Sequence, residues 1–235
     1  MTRNLADILL NNQEIFQPVV PFDKRKDRLY ALDLTADNIE LSDVMLGDCR
    51  LFSLCLEEKL KQTGARYAIG GYNEHRTVYA LHKVFDAANA GEQPRRLHLG
   101  TDIWGKPGTA VMAPLDGIVH SFANNDRKGD YGATIILSHQ LDGVPFYTLY
   151  GHLGLSSIRN LEEGRRIMAG EIFAAFGIPA ENGQWSPHLH FQLIVNLGDW
   201  YGDYPGVCAF PDREKWLSNS PDPDLILRMN SFIIH

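Results

Sequence analysis

Ser186-Pro187-His188-Leu189-His190-Phe191-Gln192-Leu193 alternates polar and apolar side chains, the pattern of a strand with one face in a core. Residues two apart share a strand face, so His188 and His190 point one way while Leu189, Phe191 and Leu193 point the other. An isolated His-x-His fixes no geometry by itself, and this pair gains meaning from what lies upstream. His98-Leu99-Gly100-Thr101-Asp102 sets an imidazole and a carboxylate at the same period, with Gly100 leaving room between them, and Tyr150-Gly151-His152-Leu153 closes the alternating run that begins at Val144. Two imidazoles, one carboxylate and water form the ligand set of a catalytic zinc site, whereas structural sites close with four ligands rich in cysteine. Two histidines are left over once three ligands are counted.

These motifs, in this order, resemble the LytM/lysostaphin-type zinc endopeptidases, whose pattern is His-x-x-x-Asp, a later lone His, and a closing His-x-His. The resemblance implies that His98, Asp102 and His190 hold one Zn2+ per chain, and that His152 and His188 are the catalytic histidines. Turn and strand positions fit the family as well: Gly108-Thr109-Ala110-Val111, Ala113-Pro114, Asp116-Gly117-Ile118-Val119, Tyr131-Gly132, His139, and Glu163-Gly164 through Gly170. The match runs from about Arg96 to Asn196. It departs before the His-x-His, where Pro179-Ala180-Glu181-Asn182-Gly183-Gln184-Trp185-Ser186 replaces the usual glycine-rich approach. Asn182-Gly183, Trp185 and Pro221-Asp222-Pro223 make the chain most similar to the peptidase segment of bacterial multidomain proteins that also carry kinase-like and aminotransferase-like domains.

The composition is that of an ordinary globular protein: 235 residues, 44% hydrophobic and 22% charged. A net charge of -7 leaves no electrostatic footprint for nucleic acid or an anionic membrane. Nothing approaches the roughly 20 apolar residues that span a bilayer, and the start lacks signal-peptide features, so the expected location is cytoplasmic. Cys49, Cys55 and Cys208 are an odd number without Cys-x-x-Cys spacing, which fits buried thiols in a reducing compartment.

Three regions are expected: a mixed α/β part over 1–95, a zinc-peptidase domain over 96–197, and a loop-rich tail over 198–235 packed upon it. In the first, Ser42 or Asp48 can cap a helix carrying Leu51, Leu54, Cys55 and Leu60 and ending near Thr63-Gly64. From Arg66 onward short strands alternate with Gly, Asp and Asn turns, including one over Leu97 to Ile103, and Asp142-Gly143 is the clearest hairpin signal. The fold class is mainly β, α+β overall, and the resemblance implies an antiparallel β-sandwich or open barrel with zinc in a groove.

The implied activity is hydrolysis of a peptide or amide bond, in a peptidoglycan-type peptide or a related small amide, by metal-activated water with two histidines as acid and base. His139 and Tyr150 are candidates for positioning a ligand or the substrate. Asn73, Glu74 and His75, some two dozen residues before His98, could occlude the metal. Two alternatives stand beside the enzyme: a non-catalytic zinc-binding regulator of the same fold, and a carrier or phosphocarrier β domain, suggested by Ala113-Pro114-Leu115-Asp116-Gly117. Lys106 and Lys128 lack the hairpin setting a lipoyl carrier needs, and a phosphocarrier has no use for Asp102.

Overall fold

The structure, a computed structural model, describes residues 4–234. Its strands are β1 (Leu29–Ala31), β2 (Tyr67–Gly70), β3 (Glu74–His75), β4 (Arg95–His98), β5 (Thr101–Trp104), β6 (Ala110–Met112), β7 (Gly117–Asn125), β8 (Gly132–Leu141), β9 (Val144–Leu153), β10 (Arg166–Ile167), β11 (Ile172–Ala175), β12 (His188–Ile194), β13 (Val207–Ala209) and β14 (Ile233–Ile234). The helices are α1 (Leu5–Asn11), α2 (Asp43–Gly47), α3 (Cys49–Thr63), α4 (Arg213–Asn219) and α5 (Asp224–Leu227). The protein is thus mainly β with some helices, as its alternating patterns predict, and its sheets do not close into a barrel. No helix among the described residues is long and apolar enough to cross a membrane.

Nine strands form one sheet in the order β10-β7-β8-β9-β12-β5-β2-β1-β14. Strict alternation sorts its side chains by face. Leu189, Phe191 and Leu193 of β12, Ile103 of β5, Ile135 and Leu137 of β8 and Tyr150 of β9 point into the main core. That core is closed by α1 through Leu5 and Leu9, by the small β6–β11 sheet through Val111 and Phe173, and by Ile226 and Leu227 of α5. The opposite face carries two smaller clusters, one around Ala68 and Trp104 and one around Ile136, Leu149 and Ile194. His188, His190 and Asp102 lie on this second face, with a cluster on either side.

Asp142 and Gly143 both have positive φ, 51° and 81°, and turn β8 into β9 with Leu141 opposite Val144, the two-residue hairpin that an Asp-Gly pair predicts. Ser42 and Asp48 both act as caps, for α2 and α3 in turn, and α3 ends on Gly64 at φ 67°. The buried stripe of α3 differs from the expected one. Leu51 and Leu54 face solvent, while Leu56, flanked by Phe52 and Leu60, packs inward; these three recur at intervals of four, one helix face.

The predicted strand over Leu97 to Ile103 is two strands. β4 belongs to a three-stranded sheet, β13-β4-β3, and β5 to the nine-stranded one, so His98 and Asp102 come from different layers. Gly100 is the crossing point, where any Cβ would collide with the ring of His190. The sheets also run through the expected regional limits. β2 pairs with β5, β4 itself spans residue 95, and β13 and β14 from the tail pair with β4 and β1.

Candidate metal centre and cleft

β12 lies between β5 and β9, with His190 opposite both Asp102 and Gly151. This register brings the ligand atoms of His98, Asp102 and His190 to within 4.8 Å of one another, all three side chains being buried. His98 Nδ1 donates to the Gly71 carbonyl at 2.9 Å, which leaves Nε2 as a bare lone pair. His190 Nε2 donates to Gln192 Oε1 at 2.9 Å, and Gln192 is itself oriented by donating to the Pro205 carbonyl and Ser220 Oγ, which leaves His190 Nδ1 bare. The two bare nitrogens face each other at 2.9 Å, with Asp102 Oδ1 at 3.1 Å from one and 3.4 Å from the other. Three acceptors therefore meet with no hydrogen between them, which a cation relieves. Their spacing is close to the about 3.3 Å between donors that tetrahedral zinc bonds of about 2.0–2.1 Å require. The donor set fits zinc.

Two more imidazoles border the cluster. His188 Nδ1 donates to the Ser186 carbonyl at 2.7 Å and His152 Nδ1 to the Asn182 carbonyl at 2.8 Å, so each keeps Nε2 free. Their rings lie 4.1 Å apart, and His188 Nε2 is 4.0 Å from Asp102 Oδ1. His188 also stacks on Trp104 at 5.6 Å. Burial lowers the pKa of both histidines, and that of His98 falls to about 3, first through burial and then through the nearby Arg76. All are then neutral at neutral pH, as metal ligands and general bases must be. Burial alone would raise Asp102, but His98 and the Arg76 guanidinium outweigh it and hold the carboxyl well below its usual range.

His152 reaches the cleft through a break in alternation. Two residues after Tyr150 it should share that ring's face, yet the β8–β9 ladder shifts register here and His152 sits at φ 62°, as at a bulge that re-aims a side chain. Tyr150 stays in the core, against Phe173 and Phe191, with its hydroxyl bonded to Thr148 at 3.1 Å. Thr148 in turn meets His139. Tyr150 and His139 thus form a chain on the far face of the sheet, away from the metal cluster. Of the segment expected to occlude the metal, Asn73 and His75 are exposed, His75 resting on Phe210, and Glu74 binds Arg76.

The cluster opens into a cleft of about 440 Å³. Its walls include Leu34 and Phe52 from the N-terminal region, Tyr79 and His82, and Tyr204 from the tail. Sequence reasoning passed over four residues here. Gln192 was legible in principle, being two residues beyond His190 on the same face. Tyr131, whose hydroxyl is 3.3 Å from His190 Nε2, reads in the sequence only as a turn position. Trp185, against His82 at 4.4 Å, and Arg76 carried no signal in spacing.

The chain is similar in sequence to several known proteins. Residues 96–200 match the family model described as Peptidase family M23, a span that contains all four clustered histidines and Asp102. The chain is 33% identical over 101 residues to an uncharacterized metalloprotease of Haemophilus influenzae, covering 43% of this chain and 19% of that protein. It is 26% identical over 149 residues to the L-Ala--D-Glu endopeptidase of Bacillus subtilis, covering 59% and 43%. Among solved structures, the catalytic domain of lysostaphin from Staphylococcus simulans matches at 22% identity and a TM-score of 0.40, covering 70% of this chain and 96% of that one. The matched stretches span less than half the length of either curated relative. The M23 match thus covers less than half of this chain, and the His-Asp-His cluster lies inside the matched stretch.

Proposed function

We propose that this chain is a zinc-dependent peptidase that hydrolyses a peptide or amide bond, with a peptidoglycan-type peptide or a related small amide as substrate. The observation that carries this is the meeting of three acceptors without a hydrogen, beside two imidazoles whose free nitrogens face the same cleft. His98 Nε2, Asp102 Oδ1 and His190 Nδ1 would hold the zinc, which when bound supplies a Lewis acid and lowers the pKa of water toward 7. The remaining work falls to the chain. His152 and His188 are neutral near pH 7, so their Nε2 atoms can take a proton from water and return one to the leaving amine. The backbone carbonyls of Asn182 and Ser186 hold those rings in the tautomer this requires. Tyr131, buried between His152 and His190 at ring distances of 5.4 and 5.1 Å, has a hydroxyl able to donate to an oxyanion. A peptide substrate is in keeping with the peptidase family match and with the activity named for the Bacillus subtilis relative.

Elemental analysis together with a peptide-cleavage screen tests the reading. One zinc per chain, with cleavage abolished by a chelator and restored by zinc, is the expected result. A chain that takes up no zinc, or a zinc-loaded chain that cleaves no amide, contradicts it.

A further inference from the structure

The residue most firmly attached to a candidate metal ligand lies outside the matched segment. Arg76 is only 3% exposed and precedes residue 96 by twenty positions. Its Nη1 donates to Asp102 Oδ2 at 2.6 Å and to Tyr79 Oη at 3.1 Å, and its Nε donates to Glu74 Oε2 at 2.6 Å. Glu74 is fixed in turn, its Oε1 accepting from the Leu34 amide at 3.2 Å. The Arg76 backbone donates to the Arg96 carbonyl at 2.9 Å, and the guanidinium lies over the rings of Tyr79 and Trp104 at 5.7 and 5.6 Å. Nη2 makes no hydrogen bond and rests against Gly71, at φ 103°, where a Cβ would occupy its place.

This is a lock on one carboxylate oxygen. Asp102 Oδ1 faces His98 and His190, while Oδ2 is held by the guanidinium. A free carboxylate can bind a metal through both oxygens, and the second would take the position that a catalytic zinc site leaves open.

Resting on the zinc reading above, we infer that Arg76 is a positioning residue: it holds Asp102 so that Oδ1 alone serves the metal, and thereby makes the N-terminal region a working part of a site whose ligands all lie in the matched segment. A role through charge alone predicts the opposite sign in zinc affinity. Removing a cation beside a ligand should tighten zinc binding, whereas removing a lock that orients the ligand should loosen it, by about 10- to 100-fold as for other outer partners of metal ligands.

The test is chelator competition for zinc on the full chain, on Arg76→Met combined with Glu74→Gln so that Glu74 is not left as an unpaired charge, on Arg76→Lys and on Gly71→Ala. Melting temperatures and the visible spectra of the cobalt(II)-substituted proteins are recorded alongside. Zinc affinity should fall about 10- to 100-fold in the double variant and less in Arg76→Lys, which keeps the charge but loses the fork. Gly71→Ala should shift it in the same direction, because its Cβ would press on both the guanidinium and the His98 ring. The cobalt spectrum of the double variant should weaken as its coordination number rises. Unchanged or tighter zinc binding in a folded double variant overturns the inference, and if that variant does not fold, parental affinity and spectrum in Arg76→Lys do so. A parent chain that binds no zinc overturns the underlying reading instead, so the two failures are distinguishable.

Discussion

The nine-stranded sheet carries buried histidines on both faces, and they differ in one respect. On the core face, His139 has both ring nitrogens engaged, Nδ1 with the Asp116 carbonyl at 2.9 Å and Nε2 with Thr148 Oγ1 at 2.8 Å, and its ring stacks on Phe146. On the cleft face, His152, His188 and His190, joined by His98 from the three-stranded sheet, each satisfy one nitrogen and leave the other toward the cluster or the cleft. Burial does not separate the groups. Nor does the direction of the pKa shift, since burial lowers His139 to about 4 just as it lowers His98, His152 and His188. An uncommitted lone pair facing a cavity is what distinguishes a histidine that can do chemistry from one that completes a core.

The largest effect that probes this contrast is on turnover. His152→Ala and His188→Ala should each lower kcat by about 10²- to 10⁴-fold, the range of a positioned acid or base, whereas His139→Leu should leave turnover per folded, zinc-loaded chain unchanged. Steady-state kinetics on all three would break the contrast if His139→Leu proved as damaging as the others.

Stability should show the reverse dependence. His139 titrates at about 4 in the folded protein against an ordinary 6.5, so folding favours its neutral form. Its contribution is fully present above about pH 6.5 and is lost as pH falls toward 4, an amount of order 3 kcal/mol. Thermal unfolding of zinc-free protein between pH 7 and 4 should therefore slope downward. His139→Leu should remove one proton's share of that slope; an undiminished slope would place the titrating group elsewhere.

A smaller effect lies in the support of His190. Gln192→Leu takes away the acceptor that holds His190 Nε2–H and should weaken zinc binding by about 10- to 100-fold, read by chelator competition. Parental affinity would mean that the Tyr131 hydroxyl suffices to hold the ring.

Local chemistry decided how much could be read in advance. Asp142-Gly143 specifies its turn through positive φ, Ser42 and Asp48 specify helix starts through their side-chain oxygens, and the period of two in 186–193 puts His188 and His190 on one face. What was not legible depends on breaks in those rules or on distant packing. The crossing at Gly100 interrupts an apparently continuous strand, and the bulge at His152 turns it off the face of Tyr150, so a period of two describes neither place. Arg76 meets Asp102 only because β3 and β5, neighbours to β4 and β2 in different sheets, converge on one cluster. No interval in the sequence encodes that meeting.

The most direct test of the account uses two histidines from one strand face. His190 offers its bare Nδ1 to the cluster, while His188 holds its free Nε2 4.0 Å from Asp102 Oδ1. Zinc stoichiometry of purified His190→Ala and His188→Ala, measured side by side with the parent, separates ligand from catalyst. The account predicts that His190→Ala loses its zinc and that His188→Ala retains one zinc per chain while losing turnover. A zinc-free His188→Ala, or a His190→Ala that binds zinc as the parent does, would contradict it.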